Sequence, residues 1–170
     1  MKKIECSMAL SSLILSMALG VPGQATAAGM TKISGTITAK NVKEDILPIS
    51  APEGDLFLLE EFQGANKNTG KTDYLEGAEV DNKDVAALMH GSGPQHGYIT
   101  FKKGDDQVEA KWAGSVKTVI GKDGQRQVSF SGKWEHTKGV GKYAGAHGHG
   151  TYQGHFTSPT EYVVYWKGEY

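Results

Sequence analysis

From residue 97 to residue 170, apolar and polar residues alternate with a period of two. Residues 107–120 set Ala110, Trp112, Gly114, Val116, Thr118 and Ile120 on one side, against Glu109, Lys111, Ser115 and Lys117 on the other. Residues 125–136 do the same with Val128, Phe130, Gly132, Trp134 and His136 against Gln127, Ser129, Ser131, Lys133 and Glu135. This alternation marks strands with one buried face. Gly104-Asp105-Asp106 and Gly121-Lys122-Asp123-Gly124 provide the turns. A last hairpin continues the scheme, with Tyr152, Gly154 and Phe156, then Tyr162, Val164 and Trp166, as its inner positions.

The first half is less regular. Residues 31–40 read as a first strand, and residues 41–54, with Pro48 and Pro52, as a loop crossing the surface. Residues 55–63 are the most apolar stretch after the N-terminal region and predict a strand. A polar turn follows at 64–70 and a return strand at 72–80. Residues 81–90 leave two readings open. One is a helical turn capped by Asp84, with Val85, Leu88 and Met89 on one face; the other is a strand edge running into Gly91-Ser92-Gly93-Pro94. Consecutive antiparallel strands with short turns predict an all-β meander. A sheet of about eight such strands removes its edges by closing into a barrel, lipocalin-like in shape. At most short helices are expected, near Asp84 and Val140.

The N-terminal pattern is different. Met1-Lys2-Lys3, the apolar run at 8–20 and Ala25-Thr26-Ala27 have the layout of a secretory signal peptide. The expectation is a signal over 1–27, a single barrel domain over 28–170, and export to the periplasm or the extracellular space. The apolar run is shorter than the ~18 residues of a membrane span, so no integral membrane segment is expected in the mature chain. The single cysteine, Cys6, would leave with the signal, taking any disulfide or thiol chemistry with it. Lysine and glutamate are scattered through a chain of formal net charge −1, which offers no basic patch to nucleic acid.

Trp134, the segment Gly139-Val140-Gly141-Lys142-Tyr143-Ala144-Gly145-Ala146, and Gly148-x-Gly150-Thr151-Tyr152 together resemble the allene oxide cyclase-like barrel superfamily. That group includes the plant dirigent proteins and secreted bacterial proteins. Val140 stands where threonine is usual. The resemblance covers about the last third of the chain and implies a barrel. Its motif concerns how the barrel turns a corner, so it speaks to fold rather than function. No catalytic residue carries over.

Candidate chemistry follows from the inner positions. Trp112, Trp134, Tyr152, Tyr162 and Trp166 would share one interior, with His136 near its mouth. A barrel of about eight strands stands at the size where side chains fill the inside or leave room for one small ligand. Glu60 and Glu76 share the parity of Leu58, Phe62, Tyr74 and Ala78, and would bring carboxylates inward near His136. His147, His149 and His155 share the opposite parity on one strand and are weak metal candidates, read more simply as a solvated face. No dinucleotide, nucleophile-elbow or zinc-helix motif is present, and no cofactor is expected. Three classes of role remain: a barrel binding a small apolar or aromatic molecule, a cyclase or isomerase acting on a hydrophobic substrate, and a structural barrel with a filled core. The first is preferred, leaning away from an enzyme, with a homo-oligomer allowed.

Overall fold

The computed structural model describes residues 30–50 and 54–170, so the segment expected to be a signal peptide, with Cys6, lies outside the described residues. Eight strands follow one another: β1 (Lys32–Ser50), β2 (Asp55–Asn68), β3 (Glu79–Leu88), β4 (Gly93–Lys103), β5 (Asp106–Ile120), β6 (Arg126–Val140), β7 (His149–Ser158) and β8 (Glu161–Glu169). Each pairs antiparallel with the next, and β8 pairs with β1 to close the barrel. The closed antiparallel barrel expected from the alternation is therefore present. The only helical segment among the described residues is a 3-10 turn at Gly141–Tyr143, just after Val140. None of their helices is long and apolar enough to cross a membrane.

Three boundaries differ from the sequence reading. Residues 41–50 belong to β1, not to a loop. Above Lys40 the strand has no β8 partner, and an edge next to a register shift tolerates Pro48. The turn expected at 64–70 is largely strand, because β2 continues to Asn68. The return strand expected at 72–80 begins only at Glu79. Residues 69–78 instead form a loop in which Leu75 (φ 56°) and Gly77 (φ 65°) take left-handed conformations that no strand allows. Of the two readings for 81–90, the strand is correct and no helical turn forms at Asp84.

The irregular loop closes one end of the barrel. Its Tyr74, Leu75 and Ala78 are buried, and Tyr143 of the 3-10 turn is buried beside them. The Leu75 amide donates to the Tyr143 hydroxyl at 3.1 Å, while its carbonyl accepts from Asn66 Nδ2 at 2.9 Å and from the Ala78 amide at 3.2 Å. Those bonds hold the unusual backbone of a bulky residue in place. The Tyr74 ring packs on Tyr143 and Tyr170 at centroid distances of 5.1 and 4.1 Å. Above this floor lie Ile33, Ile37, Phe62, Val80, Ile99, Phe101, Val108, Val164 and Trp166, all buried. The result is a cup with a packed base.

Inward aromatic rings are paired with glycines on the neighbouring strand. Gly97 stands opposite Trp112, Gly150 opposite Trp134, Gly35 opposite Trp166 and Gly154 opposite Phe130. A Cβ at Gly97 would lie 2.8 Å from the Trp112 ring, and one at Gly150 would lie 2.7 Å from Trp134. The rings thus lie down along the wall over their glycines instead of filling the centre. This is the packing reason for glycine-studded strands in a small barrel.

Candidate functional site

The upper part of the cup is hollow. A cavity of about 880 Å³ reaches from the rim turns to the floor. Inward residues from several strands build its wall: Phe62 from β2, Ile99 and Phe101 from β4, Trp112 and Val116 from β5, Phe130 and Trp134 from β6, Tyr152 and Phe156 from β7, and Tyr162 and Trp166 from β8. The positions expected inside from parity, Trp112, Phe130, Trp134, Tyr152, Phe156, Tyr162 and Trp166, are all inward; Phe101 was not among them. All of Trp112, Trp134, His136, Tyr152, Tyr162, Trp166 and Glu60 line the cavity.

Two placements need correction. His136 is on the floor, not at the mouth: its Nε2 lies 3.2 Å from the Tyr74 hydroxyl and its ring packs 4.9 Å from Trp134. Burial lowers its pKa to about 4, so the ring is neutral at physiological pH. Glu76 is not inside at all. It is exposed in the loop below the barrel, where its carboxylate accepts from the Asn68 amide at 2.6 Å. The parity of a strand cannot be carried through a turn, and residues 72–78 are a turn.

The polar wall of the cavity follows one slanted row of cross-strand partners. Glu44 pairs with Glu60, Glu60 with Asp84, Asp84 with Gly97, Gly97 with Trp112, and Trp112 with Trp134. The row continues through Gly150 and Gly168 to Ile33, well below its start on β1, which is the stagger a closed barrel requires. Three carboxyl groups therefore stand side by side on the inner face of β1, β2 and β3, and two indoles follow them round the wall. Glu44, Glu60 and Asp84 all line the cavity.

Asp84 is held by Asn82. The Trp112 indole N–H can only donate, and it meets Asn82 Oδ1 at 2.8 Å. That fixes the amide so that Nδ2 donates to Asp84 Oδ2 at 3.0 Å. Asn82 itself is buried. Glu60 Oε1 accepts a longer bond, 3.3 Å, from Asn41 Nδ2. Burial is the main cause that pushes both carboxyls up to about 7, with the neighbouring Asp84 and Glu44 charges adding to the effect on Glu60. Burial also raises the phenols of Tyr152 and Tyr162, so both stay protonated donors. Gln95 Nε2 reaches the Tyr152 hydroxyl at 3.5 Å. Deeper down, Trp166 Nε1 donates to Asn66 Oδ1 at 2.8 Å, whereas Trp134 Nε1 and His136 Nδ1 are buried with no partner among the described residues.

Sequence reasoning missed Asp84, Asn82, Gln95 and Glu44. Asp84 and Asn82 fall in the stretch at 81–90 whose residues suit helical turn and strand alike. Glu44 falls in the supposed loop. Asp84 and Asn82 share the even parity of Glu60, which was the available signal. Gln95 shares the odd parity of Ile99 and Phe101 on β4, and Glu44 faces inward only because a register shift between Asn41 and Lys43 reverses the odd inward parity of Ile33, Ile37 and Ala39.

The three late histidines do not converge. His147 and His149 are exposed, His149 Nε2 lies 3.5 Å from Glu169, and the His155 ring lies 6.5 Å from Tyr165. Among the described residues no three His, Cys, Asp or Glu side chains are grouped closely enough to hold a metal ion. Comparison with family models, with curated proteins and with solved structures finds no match to this chain.

Proposed function

We propose that this protein is an exported barrel that holds a small hydrophobic or aromatic molecule in its interior. The observation that carries this reading is the hollow aromatic cup. Its volume of about 880 Å³ falls within the roughly 300–1,000 Å³ of small-molecule sites. Mostly apolar walls with a few convergent polar groups are what such a ligand needs. The resemblance to allene oxide cyclase-like barrels fits a fold that encloses an apolar compound, and exported barrels of this shape suit carriage or sequestration.

A neutral apolar probe such as N-phenyl-1-naphthylamine should enter the cup and quench the tryptophans lining it. The expected titration is saturable and one-to-one. If no apolar probe, neutral or charged, gives saturable quenching, the binding reading fails and a surface role takes its place.

One observation favours a second reading. Glu60 and Asp84 stand side by side on the cavity wall, and burial pushes both up to about 7, which suits transfer of a proton to or from a bound hydrophobic substrate, as in an isomerase or cyclase. In that case the enclosed shape would position the substrate and the carboxyl pair would supply the acid and base.

A further inference from the structure

We infer that the molecule held in the cup is an organic cation: a protonated amine carried on an aromatic or aliphatic body, with its charged end against Glu44, Glu60 and Asp84. The inference rests on the binding reading above and adds the chemical class of the ligand.

The inner wall is divided by charge. Glu44, Glu60 and Asp84 are adjacent in one cross-strand row, and no ion pair among the described residues involves any of them. The nearby lysines turn the other way: Lys43 pairs with Asp45 and Glu61, and Lys83 with Glu61, on the outer face. Among the described residues the one lysine or arginine lining the cavity is Arg126, the only arginine in the chain, at the rim beside Gly91; the histidines lining it are His136, on the floor, and His155. The other groups facing the carboxyls are uncharged: Asn41, Asn82, Gln95, and the phenols of Tyr152 and Tyr162.

Hydrogen bonding leaves the carboxyls under-used. An ionised carboxylate has about four acceptor sites. The side-chain bonds described for Glu60 and Asp84 are one each, from Asn41 and Asn82. An ammonium group brings three donors and a positive charge to the same place. Beside the acidic row stand Trp112 and Tyr152, ring centroids 5.6 Å apart and edge to face. Aromatic faces next to carboxylates attract an organic cation through both its charge and its apolar body. A bare metal ion fits less well, because no three acidic or histidine side chains are grouped closely enough to coordinate one among the described residues. An anionic ligand would meet the carboxyls as like charges.

Calorimetry on the full-length exported protein can separate the classes with two probes of nearly equal shape, 2-(2-naphthyl)ethylamine and 2-(2-naphthyl)ethanol. At pH 8 the amine should bind about tenfold more tightly or better. At pH 5.5, where Glu60 and Asp84 are protonated, the ratio should fall toward one. The Glu60→Gln/Asp84→Asn double variant should lose the preference at pH 8, and the pH comparison on the parent stands even if that variant does not fold. Equal binding of amine and alcohol at pH 8 overturns the inference and leaves the binding reading intact. If neither probe binds, both fall.

Discussion

Glu60 and Asp84 are carboxyls enclosed by apolar walls, and both hold their protons more tightly in the fold than in the unfolded chain, where values of 4.5 and 3.8 apply. The stability they lend is fully present below about pH 4 and is lost as the pH rises toward 7. His136 acts in the opposite sense. Its pKa is lowered from 6.5 to about 4, so its contribution is present above 6.5 and is lost as the pH falls through 4. Thermal melts of the Glu60→Gln/Asp84→Asn variant should therefore show a smaller fall in Tm between pH 5 and 8 than the parent. An equal fall in both proteins would mean that the carboxyls are solvated. At this scale the sequence was half legible. Glu60 could be found because it shares the parity of Leu58 and Phe62, whereas Asp84 lies among Val85, Ala86 and Ala87, whose run of small apolar residues suits helix and strand alike.

Among the elements, β5 to β8 were legible because each has a polar outer face and an apolar inner one. The β1–β2 hairpin was not. Its outer arm rises past the end of β8, leaving one edge of β1 unpaired by that strand above Lys40. Apolar residues are exposed on both sides of it, including Ile46 (53%), Leu47 (64%) and Leu59 (54%). A strand without a buried face lacks the alternation that betrays the others. An open apolar edge is also a template for pairing with another chain. Sedimentation of the parent over a range of concentrations should show a rising average mass. Leu47→Lys should suppress that rise while changing stability by no more than about 0.5 kcal/mol, as for an ordinary surface substitution. Concentration-independent mass in the parent would show the arm to be inert.

For the whole molecule, the division into packed floor and hollow cup predicts unequal costs for two similar changes. Trp166 also borders the cavity, but it is buried and bonded to Asn66, so Trp166→Ala should cost about 3–5 kcal/mol. Trp134 lines the cavity, is only half-buried, and its N–H has no partner among the described residues. Its removal should cost clearly less, because the ring already borders open space. Urea denaturation of the two variants tests the order, and a larger loss at Trp134 would argue for a solid interior. The closed barrel could be foreseen from period-two patterning and the number of turns. Whether it was hollow could not, since that depends on how far each ring lies down over the glycine across from it.

The seam between β8 and β1 also sets the order of events in time. Every other ladder joins strands that follow each other in the chain, and an isolated hairpin forms in about 1–10 μs. The seam instead joins Lys32 to Glu169 and Lys40 to Glu161, contacts that must close the longest loop of all. An unfinished sheet of seven strands has two open edges and encloses nothing. The cup therefore comes into being only when the last strand docks, and a newly emerging chain cannot capture a guest part-way through its assembly.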